Sequence, residues 1–237
     1  MRTYPVFCTV FFGMALSVLT HAGTSHAESL IVLEARKIAL RPGQVVDSTK
    51  PLVLKEGEYV SLISPAGRTL KLEGPYNKSP DTDQSGGVSA ANALALLVTQ
   101  RQARVGEVGT TRGLAPNTLP DPWVLDTTRT GAVCLQEGSV AVLWRPNAAT
   151  ETELSLTPTD RSWRADALWP AGTDRIEVPA PAQIRPGTTY LVTVNGTQSA
   201  LRVEPVPKLL ENVSMRLAWL VGKGCEAQAE ALLRQAE

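Results

Sequence analysis

Gly187-Thr188-Thr189-Tyr190-Leu191-Val192-Thr193-Val194 is the stretch that decides the fold. Its β-branched and aromatic residues follow a glycine turn, which predicts a strand over residues 190–194. Short runs of the same kind recur about every eight to twelve residues, with turn residues between them. They cover residues 131–135, 140–144, 153–156, 163–168, 175–178 and 201–203. Such punctuation predicts a β-sandwich over residues 123–205.

The quoted stretch also resembles the penultimate strand of immunoglobulin-like and fibronectin-like domains. The resemblance is one of architecture and implies no function. It implies that the Tyr190 hydroxyl bonds to the backbone at a corner of the sheet. Val192 stands where an antibody-type domain would have a cysteine.

Residues 28–76 predict a smaller antiparallel β unit. Apolar runs at 31–33, 37–40, 51–54, 59–63 and 69–72 alternate with proline and glycine turns. Three segments resemble FecR-type periplasmic β domains within a family of uncharacterised exported proteins of proteobacteria. They are Ala39-Leu-Arg-Pro-Gly-Gln-Val-Val46, Leu52-Val-Leu-Lys-Glu-Gly-Glu-Tyr-Val-Ser-Leu-Ile63 and Gly67-Arg-Thr-Leu-Lys-Leu-Glu-Gly-Pro-Tyr76. The resemblance implies a non-catalytic module, which in some members takes part in signalling.

The remaining segments predict helices. Residues 77–122 read as a linker that contains one helix, 89–104, and ends at a domain boundary, Pro120-Asp121-Pro122. Residues 206–237 predict a helical hairpin that begins with Pro207 in the first helical turn and breaks at Gly222-Lys223-Gly224. Leu210, Val213, Leu217 and Leu220 recur at helical spacing in its first arm.

Residues 1–27 have the pattern of a cleaved signal peptide. Arg2 precedes an apolar run over 6–20, and small residues lead up to a cleavage site after Ala27. The run is short for a membrane span, so no stable span is expected after cleavage. The expected location is therefore the periplasm.

Removal of this segment leaves no histidine, two cysteines, and 22 basic against 23 acidic residues, because Arg2 is its one charged residue. That balance argues against a nucleic-acid partner. Cys134 and Cys225 are then expected to form one disulfide, as an oxidising compartment favours.

The absence of histidine disfavours the commonest general base and metal ligand. Asp121 and Asp126 are the acids that a carboxylate-based hydrolase would use, although Asp126-Thr-Thr-Arg129 fits a turn with a salt link better. Asp81, Asp83 and Ser85 begin like a calcium loop, but no glutamate closes it. No cofactor, metal site or catalytic residue is predicted.

All five tryptophans lie in the second half of the chain, where they are expected to fill the core. Trp163 and Trp169 offer an alternative, an exposed aromatic platform for a glycan, because one regular strand would place both on the same face.

The sequence therefore predicts a mainly β protein with a small β unit, a linking helix, a sandwich and a C-terminal helical hairpin. We expect a non-enzymatic periplasmic module that binds another envelope protein. An unpaired strand edge or apolar patch on the N-terminal unit would support this. The alternatives are a carbohydrate-binding module and, after it, a carboxylate-based hydrolase.

Overall fold

A computed structural model describes residues 28–80 and 118–236 of the chain. These residues are mainly β, with a helical hairpin at the C-terminal end, as predicted. The predicted signal peptide (1–27), the helix 89–104 and the calcium-loop residues Asp81, Asp83 and Ser85 lie outside the described residues.

The N-terminal unit contains six strands. They are β1 (Ser29–Arg36), β2 (Val45–Asp47), β3 (Leu52–Leu54), β4 (Tyr59–Ile63), β5 (Thr69–Glu73) and β6 (Tyr76–Lys78). Four of them form an antiparallel sheet in the order β2-β1-β4-β5, while β3 and β6 form a separate two-stranded ribbon. The predicted run 37–40 is not a strand, because Lys37 has a φ of 59° and turns the chain away after β1.

Strand β1 is buried on both faces. Leu30 and Val32 face the core of the N-terminal unit, and Ile31 and Leu33 face a second core that the helical hairpin shares. This double burial explains why the strand reads as a continuous apolar run, since alternation appears only where one face meets water.

The sandwich contains eight strands. They are β7 (Val124–Asp126), β8 (Gly131–Gln136), β9 (Val142–Trp144), β10 (Thr152–Pro158), β11 (Ala165–Trp169), β12 (Arg175–Glu177), β13 (Thr189–Val194) and β14 (Thr197–Val206). One sheet has the order β11-β10-β13-β14-β8, and the other has the order β12-β9-β7. Strand β8 runs parallel to β14, whereas β10, β11, β13 and β14 pair antiparallel.

Tyr190 forms the bond predicted for it. Its side chain is 2% exposed in the sandwich core, and its hydroxyl oxygen accepts a 2.8 Å hydrogen bond from the backbone N–H of Arg185. The bond ties the chain that enters β13 to the strand itself, the geometry of a tyrosine corner.

The hairpin consists of α1 (Val213–Gly222) and α2 (Glu226–Ala236). The predicted start at Pro207 is wrong, because residues 207–210 form a turn and Asn212 caps α1 by accepting the Met215 N–H. Leu210 is nevertheless fully buried, in the core that the helix faces. The predicted break at Gly222-Lys223-Gly224 is confirmed.

The hairpin fills the space between the two β units. Its core combines Ile31 and Ile63 of the N-terminal unit with Trp219 of α1 and Cys134 of β8. The Lys223 ammonium donates to the Leu33 carbonyl, and the Trp219 indole donates to the Pro205 carbonyl. A Cβ on Gly222 would lie 2.5 Å from Leu33 Cδ2, so glycine permits this close approach of α1 to β1.

Residues 118–122, at the predicted domain boundary, belong to this packed structure. Leu119 is 3% exposed beside Val124 and Ala231, and its carbonyl accepts a hydrogen bond from Arg234.

Candidate functional site

The disulfide predicted from the cysteine count is present. Cys134 of β8 and Cys225, the residue before α2, are bridged across a sequence separation of 91 residues. Both are almost completely buried. The bridge therefore joins the helical hairpin to one edge of the five-stranded sheet.

That edge of the sheet is closed by a side chain. Gln228 of α2 is 2% exposed; its Oε1 accepts from the Cys134 N–H, and its Nε2 donates to the Cys134 carbonyl. It also donates to the Pro122 carbonyl. The amide thus takes the place of a neighbouring strand at Cys134, which protects β8 from pairing with another chain.

The predicted aromatic platform of Trp163 and Trp169 is not formed. Trp169 is completely buried, with the Arg145 guanidinium 4.9 Å above its ring. Trp163 is partly buried against the sandwich core, with its ring 6.0 Å from that of Tyr190. The prediction assumed one regular strand from Trp163 to Trp169, but β11 begins at Ala165 and its register turns Trp169 inward opposite Thr152.

The two acids considered for hydrolysis have structural partners. Asp121 accepts from the Trp123 N–H and lies 3.6 Å from Arg175. Asp126 is buried; it accepts from the Thr128 N–H and hydroxyl and forms an ion pair with Arg129 at 3.4 Å. This is the turn with a salt link that the sequence favoured. Within residues 28–80 and 118–236, no three acidic, histidine or cysteine side chains cluster as metal ligands would.

The opposite edge of the five-stranded sheet is open. Strand β11 pairs with β10 on one side, and no strand of the described residues lies on its other side. The Glu153 carbonyl accepts a hydrogen bond from the Asn195 N–H, so the backbone groups of Glu153 face β13. Backbone direction alternates along a strand, so the backbone groups of Leu154 face β11, where the register places Ala167 opposite Leu154. The N–H and C=O groups of Asp166 and Leu168 therefore point away from the sheet.

A shallow groove of about 560 Å³ lies beside this edge, on the outer face of the sheet. Leu168 borders it and is 60% exposed. Opposite Leu168 on β10 is Glu153, whose exposed carboxylate has no hydrogen-bond or ion-pair partner among the described residues. The groove thus combines an exposed aliphatic side chain with an uncompensated negative charge.

Asp166 carries the second negative charge of the groove, but this one is neutralised. Arg164 Nε donates to both carboxylate oxygens of Asp166, at 2.8 and 3.0 Å. The hydrogen bond from Arg164 lowers the pKa of the Asp166 carboxyl below its ordinary value, so this carboxylate is charged at neutral pH.

The N-terminal unit also has an edge strand, β5, that pairs with no further strand in the described part of the chain. The Ser64 N–H donates to the Arg68 carbonyl, and the Gly74 N–H donates to the Glu58 carbonyl. The even-numbered residues of β5 therefore bond to β4, and the backbone groups of the odd-numbered residues point away from the sheet: Thr69, Lys71 and Glu73. Lys71 and Glu73 are exposed charged side chains, which discourage pairing with another strand. The exposed apolar residues of this unit, Val45 and Val53, lie on β2 and β3.

Sequence periodicity did not locate the β11 edge, because alternation assigns the faces of a strand but not the order of strands in a sheet. The available signal was that Leu168 follows Arg164 and Asp166 at alternate positions, which places it on the charged face of a strand.

Comparison with protein-family models and with curated proteins finds no match to this chain. Within the described residues, no helix has the length and apolar character needed to cross a membrane.

Proposed function

We propose that this protein is a non-enzymatic, exported module of the bacterial envelope that binds another envelope protein. The observation that carries the proposal is the contrast between the two edges of one sheet. Gln228 occupies the β8 edge at Cys134, whereas at the β11 edge no described residue pairs with the backbones of Asp166 and Leu168. Unpaired strand backbone binds one kind of ligand well, which is another extended polypeptide.

The proposed location is the periplasm. It is supported by the buried Cys134–Cys225 disulfide, since such bonds persist in oxidising compartments, and by the signal-peptide pattern of residues 1–27. The proposed FecR-like character of the N-terminal unit rests on the three sequence segments that resemble that family.

A protein partner is preferred to a glycan for a specific reason. Glycan platforms use exposed aromatic faces, and the tryptophan pair considered for one has Trp169 in the core. Exposed aliphatic surface beside free backbone groups suits a peptide strand instead.

The proposal is tested by site-specific photo-cross-linking in the cells that produce the protein. Leu168→p-benzoylphenylalanine places the cross-linker at the β11 edge. As a matched control, Lys71→p-benzoylphenylalanine places it at an exposed position of the other edge strand, β5. We expect one or two envelope proteins to be captured from position 168 and not from position 71. Absence of an adduct at position 168, with the protein exported and oxidised, would overturn the proposal.

A further inference from the structure

Resting on the proposed function, we infer that the segment bound at β11 is an extended strand with a lysine or arginine opposite Leu168. The backbone of β11 fixes which residues of a partner face which side chains. Asp166 and Leu168 offer the outward N–H and C=O groups. In an antiparallel partner strand, the residue that exchanges hydrogen bonds with Leu168 has its side chain on the same outer face as Leu168.

The charge on that face selects the chemistry of this partner residue. Glu153 lies directly across from Leu168 on β10, exposed and without a charged partner in the described parts of the chain. Asp166, the neighbouring acid, is already paired with Arg164. The groove therefore keeps one uncompensated negative charge, next to its exposed leucine.

The geometry matches a long basic side chain. The partner residue lies two strand spacings from Glu153, about 10 Å. A lysine or arginine there lays its methylene stem over Leu168 and brings its cationic end to the Glu153 carboxylate. A short or acidic residue at that position leaves either the leucine uncovered or two negative charges side by side.

The test uses the oxidised chain from residue 28 onward and two capped peptides that differ in one residue. They are acetyl-Thr-Val-Thr-Lys-Thr-Val-Thr-amide and the same peptide with glutamate in place of lysine. Binding is followed at low salt by the amide NMR shifts of Asp166 and Leu168. We expect the lysine peptide to bind about tenfold more tightly than the glutamate peptide. The lysine forms a surface ion pair with Glu153, whereas the glutamate is repelled by it.

Two variants locate the charge that discriminates. Glu153→Gln is expected to reduce the difference between the peptides to about threefold or less. Glu204→Gln, a control on β14 where the native carboxylate is paired with Arg202, should leave the difference unchanged.

Equal binding of the two peptides, shifts confined to other parts of the protein, or no binding of either at millimolar concentration would overturn the inference. None of these results would contradict the capture of a protein partner in cells by the cross-linker at position 168. Failure of the inference is therefore distinguishable from failure of the proposed function. Conversely, a lysine preference that survives Glu153→Gln would assign the selectivity to another group and overturn the assignment to Glu153.

Discussion

Gln228 and Cys134 are joined twice, because the glutamine amide bonds to both the N–H and the C=O of the cysteine. The same cysteine forms the disulfide to Cys225, three residues before Gln228. One short segment of the hairpin therefore holds β8 covalently and by hydrogen bonds, and both connections lie in the core. The edge of the sheet that faces the hairpin is thus fixed, while the opposite edge has no partner strand among residues 28–80 and 118–236.

Gln228→Leu should destabilise the protein strongly. The leucine fills a similar volume but leaves the Cys134 N–H, the Cys134 carbonyl and the Pro122 carbonyl buried without partners. Each buried orphan group costs about 1–3 kcal/mol, so we expect a loss of about 3 kcal/mol or more in the free energy of unfolding. Urea denaturation measures it. Gln198→Leu, at an exposed site, is the control; a loss of similar size there would contradict the explanation.

Removal of the disulfide by Cys134→Ala with Cys225→Ala should also lower stability. The bridge closes a loop with a sequence separation of 91 residues, for which chain entropy predicts about 4–5 kcal/mol as an upper figure. We expect the free energy of unfolding, measured by urea denaturation, to fall by about 3 kcal/mol, since residual structure in the unfolded chain reduces the entropic effect.

Burial of the two sulfurs predicts a kinetic result. Cys134 and Cys225 are at most 1% exposed, so a reducing agent reaches the bond only after the hairpin opens. Thiol labelling after dithiothreitol treatment should be slow in buffer and fast in urea above the unfolding midpoint. Equally fast labelling in both would contradict the buried position.

Tyr190→Phe tests the corner bond at the entry to β13. The ring stays in the core, but the Arg185 N–H loses its acceptor. The expected loss is about 1–2 kcal/mol, the value of one partly buried hydrogen bond and the group it leaves unpaired. Tyr59→Phe is the matched control, since no hydrogen bond of the Tyr59 hydroxyl occurs among the described residues.

The strands of the sandwich were predicted correctly because the sequence signal for a strand is local. All seven predicted runs overlap an observed strand, and the break at Gly222-Lys223-Gly224 is where the two helices meet. β-branched runs and glycine turns act within a few residues, which is what a sequence displays directly.

The failures have a different physical origin. Strand β7, which none of the predicted runs covered, depends on its parallel pairing with β9, and the start of α1 depends on the Asn212 cap rather than on Pro207. The burial of Trp169 depends on pairing with Thr152 of another strand, and Gln228 acts on a residue 94 positions away. Strand order is likewise a product of non-local contacts, so the open edge at β11 became visible only in the folded structure.

Arg164→Gln should change the titration of Asp166 and the acid response of the protein. The arginine lowers the pKa of this carboxyl, so its removal should raise the pKa towards the ordinary value, as carboxyl NMR shifts would report. A depressed pKa stabilises the fold above the unfolded pKa, about 4, and the contribution is lost as pH falls through the folded value. The free energy of unfolding of the variant should therefore be lower than that of the parent near pH 7, and the two values should converge in stronger acid. A constant difference across that range would contradict the ion pair as its cause.

A pair of proline substitutions tests the direction of the β11 backbone. Ala167 bonds to β10, so Ala167→Pro removes a ladder hydrogen bond and should cost about 2 kcal/mol or more. Leu168 points its N–H away from the sheet, where proline is tolerated, so Leu168→Pro should cost less than about 1 kcal/mol. Urea denaturation compares the two. Leu168→Pro should at the same time abolish binding of the lysine peptide, because the outward donor and the aliphatic side chain are both lost. The reverse order of stabilities would place the Ala167 backbone at the open edge and contradict the register on which the interaction surface depends.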